Sequence, residues 1–345
     1  MSLSRRRALL RRAPLAALAA FLPLAGGGPV AARSIPRQRR LTVQQDPSMS
    51  FSETLAQALA APGRQAIPFT DEAGDASRPL VLHTYRSPGF TADSPIVLVQ
   101  HGMGRNGDEY RDFWIEAADR HGLLIVATTF SNADYPGAEL YNNGHVLDST
   151  SAVRPRGEWG YAVPARVFGW LRQAGITRRA QAHFFGHSAG GQFGHRLAST
   201  EDLSPYAAIT VGNPGWYTLP DLQVAFPEGM GGIGLGEAEL TALLAYPLLI
   251  LAGEQDIETS GPSLPAQPAA VAQGPHRYAR AHNYLAVGQA EAARRGVACN
   301  WRLVSVPHIG HDGAAMSRVC ASLWFDGALP AEPVLASWGK GQGAL

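Results

Sequence analysis

The sequence predicts an α/β fold: a mostly parallel central sheet flanked by helices on both faces, with no large cap domain. The first observation is a set of short, continuous apolar runs, the pattern of strands buried on both faces. These runs are residues 96–100, 123–128, 181–185, 207–211 and 248–252. The second observation is that helical segments separate most of these runs. Strands that alternate with helices form parallel sheets covered on both sides.

The N-terminal part predicts a linker followed by edge elements. Residues 33–49 are polar and basic, and residues 52–60 have the composition of a short helix. Apolar and polar residues alternate over 79–85, which predicts an antiparallel edge strand. We expect residues 33–77 to form an N-terminal linker with edge elements and residues 78–327 to form the catalytic domain.

The remaining elements follow in alternation. A long loop rich in Asn, Gly, Tyr and Pro spans 131–159, and loops of that length in compact domains are usually functional or disordered. A last strand is predicted at 301–306, and the tail 328–345 is expected to pack loosely. Helices are predicted at 110–121, 163–174, 189–200, 237–245, 276–295 and 314–324.

The first 32 residues have the pattern of an export signal. Arg6 and Arg7 precede an apolar, Ala-rich stretch at 13–24, which is too short to span a bilayer, and 30–32 offers small residues for cleavage. The pair resembles a twin-arginine signal, which implies a periplasmic or secreted protein. The alternative is a basic, disordered tail.

Charge and composition exclude some partners. Loss of residues 1–32 would remove five arginines and no acidic residue, which changes the formal net charge from +1 to −4. An acidic mature chain argues against nucleic acid as a partner, and no stable membrane insertion is expected after signal removal. A bond between Cys299 and Cys320 is left open.

A Gly-x-Ser-x-Gly pattern lies between the strand at 181–185 and the helix at 189–200, at Gly186-His187-Ser188-Ala189-Gly190. In that setting the pattern is typical of a nucleophile elbow, where a tight turn holds the serine hydroxyl at the C-terminal edge of the sheet. The alternative is an ordinary glycine-rich turn.

Other reactive side chains also follow strands. Asp256 comes just after the strand 248–252, and His308 and His311 come just after 301–306. Because the carboxyl ends of parallel strands meet at one edge of a sheet, we expect these groups to converge with Ser188. A serine hydroxyl needs a base within hydrogen-bond reach, and the base needs a carboxylate to orient it.

The chain resembles the α/β-hydrolases, and more narrowly the secreted poly(3-hydroxybutyrate) depolymerase and feruloyl esterase-like branch. The resemblance covers about 79–325 and includes the chain order of serine, acid and histidine. It rests on four motifs: His101-Gly102-Met103-Gly104, Gly186-His187-Ser188-Ala189-Gly190, Gly253-Glu254-Gln255-Asp256 and Gly310-His311-Asp312.

The resemblance implies the role of each residue. Ser188 would be the nucleophile, His311 the base and Asp256 the orienting acid. The backbone N–H groups of Met103 and Ala189 would form the oxyanion hole. His308 competes with His311 for the role of base, and Glu254 and Glu258 compete with Asp256 for that of acid.

Several further side chains are candidates for the pocket wall: His101, Trp216, Tyr217 and His308, with Tyr135, Tyr141 and Trp159 from the long loop. Packing is the alternative for each of them, and it is favoured for His101 and for His187. No dinucleotide or Walker motif is present, and neither a metal site nor a cofactor is expected.

We therefore expect an exported serine hydrolase that cleaves carboxylic esters through an acyl-enzyme on Ser188. The alternatives are a peptidase on the same scaffold and a non-catalytic extracytoplasmic binding protein. The natural ester, the oligomeric state and the cleavage site of the signal are left open.

Overall fold

Eight strands form a single sheet in the order β1-β2-β4-β3-β5-β6-β7-β8 in the computed structural model, which describes residues 49–339. The strands are β1 Gly63–Thr70, β2 Pro79–Arg86, β3 Ile96–Gln100, β4 Leu124–Thr129, β5 Ala182–His187, β6 Tyr206–Gly212, β7 Leu249–Gly253 and β8 Arg302–Val306. The pairs β1/β2 and β2/β4 are antiparallel, and all other pairs are parallel. The predicted α/β fold with a mostly parallel sheet is confirmed.

Ten α-helices accompany the sheet within the described residues. They are α1 Phe51–Ala58, α2 Gly107–Asp112, α3 Ile115–His121, α4 Val163–Gln173, α5 Ala189–Thr200, α6 Glu237–Ala245, α7 Pro268–Ala272, α8 Arg277–Arg295, α9 Gly313–Ala321 and α10 Glu332–Gly339. Two short 3-10 turns lie in the long loop, at Arg156–Glu158 and Gly160–Ala162, and a π-helical turn at Ser322–Asp326 follows α9.

Alternate side chains of the central strands enter two separate cores. Ile96 and Leu98 of β3 pack with helices α4, α5, α6 and α8, whereas Val97 and Val99 pack with α2, α3 and α9. All five residues of β3 are buried. The continuous apolar runs in the sequence are thus explained by burial on both faces of the sheet.

The N-terminal segment adds a strand that the sequence analysis missed. β1 pairs outside β2, so β2 is antiparallel as predicted but is not the edge strand. Pro68 interrupts the strand pattern of β1, and an edge strand tolerates proline because one side of its backbone needs no ladder partner. The helix α1 begins at Phe51, one residue before the predicted helix 52–60, and Ser50 forms a capping box with Glu53.

The helix predicted at 110–121 is two helices. The chain turns between α2 and α3 at Trp114, whose side chain is fully buried. The Trp114 ring packs against Phe185 and Trp324, with centroids 5.4 and 5.7 Å away. Burial of this large ring between the sheet and the segment after α9 accounts for the break, which local helix propensity alone does not predict.

In the described part of the C-terminal tail, helix α10 buries one side chain, Leu335, in the core shared with α9, and its other residues are half-buried or exposed. The two cysteines are free thiols, so no disulfide ties these elements. Among residues 49–339 no helix is long and apolar enough to cross a bilayer. The predicted signal, 1–32, and residues 340–345 of the tail lie outside the described residues.

We predict that Leu335→Ala lowers the free energy of unfolding by about 2–3 kcal/mol, because a buried leucine loses its contacts and leaves a cavity. The matched control is Val334→Ala on the same turn, where the side chain is 41% exposed and a change below about 0.5 kcal/mol is expected. Urea-induced unfolding followed by tryptophan fluorescence measures both. Equal effects would show that α10 does not contribute to the core.

Candidate active site

The turn at Ser188 has a backbone conformation that few residues adopt. Ser188 has φ 58° and ψ −117°, and it links the end of β5 directly to the first residue of α5. A Cβ on Gly186 would overlap the carbonyl of Gly190, and a Cβ on Gly190 would overlap the carbonyl of Gln100. Both glycines are therefore required by close backbone approach, and the Ser188 backbone is strained.

Three side chains that are far apart in the chain meet at this turn. The Nε2 atom of His311 lies 2.9 Å from Oγ of Ser188, and its Nδ1 lies 2.7 Å from Oδ2 of Asp256. The Asp256 side chain is 2% exposed and that of His311 is 26% exposed. In this geometry Nδ1–H donates to the carboxylate, which leaves Nε2 free to accept the serine proton. Glu254 and Glu258 make no hydrogen bond to His311 among the described contacts.

Asn213 holds the loop that carries His311. It follows β6 with a positive φ of 46°. Its Nδ2 donates to the carbonyl of Gly310 over 2.8 Å, and its Oδ1 accepts from the N–H of Gly253 over 2.9 Å. One side chain thus joins the ends of β6 and β7 to the residue before His311. Sequence reasoning did not single out Asn213, although its place directly after a strand was a signal.

Arg277, at the start of α8, is a second residue that sequence reasoning missed. Its guanidinium donates to Oδ1 of Asp256 over 3.3 Å and to the carbonyl of Ser263. Both partners of this ion pair are buried, at 1% and 2% side-chain exposure. The arginine compensates the charge of Asp256 on one oxygen and leaves the other to accept from His311. In the sequence, Arg277 only begins an amphipathic helix.

The turn after β3 lies against the nucleophile. A Cβ placed on Gly102 would lie 3.6 Å from Cβ of Ser188. Met103 follows in this turn with its side chain 48% exposed, and Ala189 is fully buried at the start of α5. The arrangement brings the two backbone segments proposed for the oxyanion hole to either side of Ser188, with the positive end of the α5 dipole directed at the site.

His101 has a structural place in this turn. Its Nε2 accepts a hydrogen bond from the N–H of Phe130 over 3.1 Å, and its Nδ1 lies 2.8 Å from the carbonyl of Gly102. Burial lowers the pKa of His101 to about 3, so the ring is neutral. A neutral ring with Nδ1–H as donor satisfies both contacts.

The long loop after β4 supports the same turn. The Arg105 guanidinium donates to the carbonyls of Phe130 and Gly137 over 2.9 and 2.8 Å. It also lies over the ring of Tyr141, 4.0 Å from the centroid, and the Tyr141 hydroxyl donates to the carbonyl of His101. The loop is therefore a packed support for the site, since its side chains fix the turn that carries Met103.

Most of the aromatic candidates for the pocket wall are core residues. Tyr217 is fully buried and stacks on Tyr284 with centroids 4.3 Å apart. Trp216 is 5% exposed and lies against the guanidinium of Arg196. Tyr135, Tyr141 and Trp159 are buried as well. These aromatic side chains pack in the interior, and the sequence alone could not distinguish packing from contact with a ligand.

His308 lies away from the Ser188 hydroxyl. It has a positive φ of 66°, and its Nε2 is 3.3 Å from a carboxylate oxygen of Glu332 on α10. It contacts the C-terminal helix, whereas His311 contacts the serine. The next residue, Asp312, caps α9 by accepting from the N–H of Ala315. Among residues 49–339, no group of three or more His, Cys, Asp or Glu side chains is arranged to hold a metal ion.

We predict that Arg277→Gln lowers the free energy of unfolding at neutral pH by about 3 kcal/mol or more, because it leaves the buried Asp256 carboxylate without its counter-charge. The control is Arg302→Gln, an exposed arginine at the start of β8, for which less than about 0.5 kcal/mol is expected. Urea titration measures both variants. A loss for Arg277→Gln as small as that of the control would contradict the importance of this ion pair.

The structure is similar to solved hydrolases. One is LpqC, a poly(3-hydroxybutyrate) depolymerase from Bordetella parapertussis, at 54% identity with a TM-score of 0.83, over 84% of this chain and 98% of that one. Another is poly(aspartic acid) hydrolase-1 from Sphingomonas sp. KT-1, at 36% identity with a TM-score of 0.73, over 76% of this chain and 98% of that one.

No protein-family model and no curated protein sequence matches the chain. The identity to LpqC over nearly its whole length agrees with the sheet order, the elbow at Ser188 and the resemblance seen in the motifs. The chain belongs to the α/β-hydrolase superfamily, in its branch of poly(3-hydroxybutyrate) depolymerase-like enzymes, and is an enzyme of the carboxylic-ester hydrolase class.

Proposed function

We propose that this protein is an exported serine hydrolase that cleaves carboxylic esters through an acyl-enzyme on Ser188. The observation that carries the proposal is the continuous hydrogen-bonded line from Ser188 Oγ through His311 to Asp256, at 2.9 and 2.7 Å. These are the distances at which a histidine can take the serine proton as the ester carbonyl is attacked.

In the first half of the reaction, Ser188 Oγ attacks the ester carbon and His311 Nε2 takes its proton. The carbonyl oxygen becomes an oxyanion that accepts hydrogen bonds from the N–H groups of Met103 and Ala189. Asp256 stabilises the imidazolium that forms. The carbon–oxygen bond of the ester then breaks, and the alcohol leaves with the proton from His311.

In the second half, water attacks the acyl-serine. His311 takes a proton from the water and returns it to Ser188 Oγ as the free acid leaves. Arg277 remains paired with Oδ1 of Asp256 throughout, so the carboxylate presents Oδ2 to His311.

We propose esters of short hydroxy acids as the substrate class. The support is the similarity to LpqC, whose name states that it depolymerises poly(3-hydroxybutyrate). The similarity to a poly(aspartic acid) hydrolase makes an amide-cleaving function the second candidate. The loops after β7 and β8, which carry Asp256 and His311, hold three further carboxylates, those of Glu254, Glu258 and Asp312. Their negative charge disfavours a polyanionic substrate.

Export is proposed from the sequence of the first 32 residues, with its Arg6-Arg7 pair and short apolar stretch. A periplasmic or extracellular enzyme would meet polymeric or oligomeric esters outside the cytoplasm. Release of a mature chain starting near residue 33, measured by mass spectrometry of the exported protein, supports this proposal. An unprocessed cytoplasmic product contradicts it.

We predict that the chain from residue 33 hydrolyses p-nitrophenyl esters of short acids and oligomers of 3-hydroxybutyrate, and that Ser188→Ala lowers kcat by at least about 10⁴-fold. Poly(aspartic acid) is assayed in parallel by the appearance of new amino groups. Faster cleavage of poly(aspartic acid) than of any ester would replace the proposed function with the second candidate. Full ester hydrolysis by Ser188→Ala would remove Ser188 from the mechanism.

We predict that His311→Gln lowers kcat on the same esters by at least about 10⁴-fold, since the base and its proton are lost. His308→Gln serves as the matched control, because His308 contacts Glu332 and not Ser188. A kcat within about twofold of the native enzyme is expected for it. A greater loss for His308→Gln than for His311→Gln would reverse the assignment of the base.

A further inference from the structure

The hydroxyl of Tyr110 lies where three segments of the proposed active site meet. Tyr110 is a buried residue of α2, and its hydroxyl is 2.8 Å from Nδ1 of His187, the residue before the nucleophile. A Cβ on Gly102 would lie 3.1 Å from that hydroxyl, and a Cβ on Gly313 would lie 2.7 Å from it. Gly102 precedes Met103 in the oxyanion turn, and Gly313 follows His311 by two residues.

Burial fixes the charge states of both groups. Burial raises the pKa of Tyr110 well above its usual value. Burial also lowers the pKa of His187 far below its usual value. Tyr110 is therefore a protonated phenol and His187 a neutral imidazole, and a hydrogen bond joins the hydroxyl to Nδ1.

The His187 ring is also next to the proposed base. The ring centroids of His187 and His311 are 4.9 Å apart. His311 becomes an imidazolium during catalysis, and a second charged ring at this distance would oppose that step. A buried, neutral His187 avoids this repulsion.

We propose that Tyr110 is a positioning residue that aligns the oxyanion turn with the nucleophile and the base. Its hydroxyl packs against the backbone at Gly102 and Gly313 and is hydrogen-bonded to His187, which is covalently joined to Ser188. Removal of the hydroxyl would leave Nδ1 of His187 without this partner and leave a gap beside Gly102, so the Met103 N–H would lose its fixed place. The inference rests on the proposed function, since it concerns the oxyanion hole of that reaction.

The test is Tyr110→Phe in the chain from residue 33, assayed with a p-nitrophenyl ester and with a boronic acid, which forms a tetrahedral adduct on serine. We predict that kcat falls about 10- to 100-fold while KM changes less than about threefold, because the alignment acts on the transition state. Affinity for the boronic acid should fall by a similar factor. The control is Tyr246→Phe, which removes a hydroxyl bonded to the carbonyl of Tyr206 at the opposite end of β6 and should leave kcat unchanged.

A pair of substitutions at His187 separates alignment from folding. The Asn side chain in His187→Asn offers an oxygen near the place of Nδ1 and should retain more activity than His187→Leu, which offers no acceptor. The double variant Tyr110→Phe with His187→Leu should lose no more kcat than the worse single variant, since both substitutions remove the same hydrogen bond. The thermal unfolding midpoint of each variant is measured first, and the assays are run at a temperature below all of these midpoints so that every variant is folded.

The outcomes distinguish the inference from the proposed function. One outcome overturns only the role of Tyr110. In it, Ser188→Ala abolishes the native activity, whereas Tyr110→Phe leaves kcat and the affinity for the boronic acid unchanged. If Tyr110→Phe lowers the unfolding midpoint but not kcat, the role of Tyr110 is overturned as well. The same holds if the losses in kcat of Tyr110→Phe and His187→Leu add fully in the double variant. Activity that persists in Ser188→Ala overturns the proposed function itself.

Discussion

The close backbone approach at the elbow is the constraint on which the rest of the site depends. Ser188 takes a φ of 58°, and Gly190 brings the start of α5 against the carbonyl of Gln100 at the end of β3. Strain of this kind costs on the order of 1–3 kcal/mol and persists only where the surroundings enforce it. Here the surroundings are buried parallel strands on both sides of β5, so the sheet fixes the serine.

The same contact places the loops that follow neighbouring strands close to the serine. Because β3 and β5 are neighbours in the sheet, the turn after β3 reaches the serine without a long excursion. The loops after β7 and β8 reach it from the other side, and Asn213 joins them. Hydrogen bonds from the Asn213 side chain to the backbone of Gly253 and Gly310 thus hold the loops that carry the base and its carboxylate.

Electrostatics divide the buried groups of the site into charged and neutral ones. Asp256 and Arg277 form a buried ion pair, and its desolvation cost is offset because the arginine also donates to the carbonyl of Ser263. His187 and His101 are neutral because burial lowers the pKa of both rings. His311, which is hydrogen-bonded to Ser188, is partly open to solvent, where its charge is tolerated during turnover.

The sequence by itself determined the class of the fold, the elbow and the order of the reactive residues. Apolar runs such as 96–100 require burial on both faces, and a Gly-x-Ser-x-Gly between strand and helix leaves few other conformations for Ser188. Only the tertiary structure decided which side chains meet. From the sequence alone, Arg277 is an ordinary helix residue, Tyr217 is a candidate for the pocket and Pro68 is a break, because contacts between separate segments of the chain leave no periodic signal. Tyr110 and His187, 77 residues apart, were joined only by the packing of α2 against the end of β5.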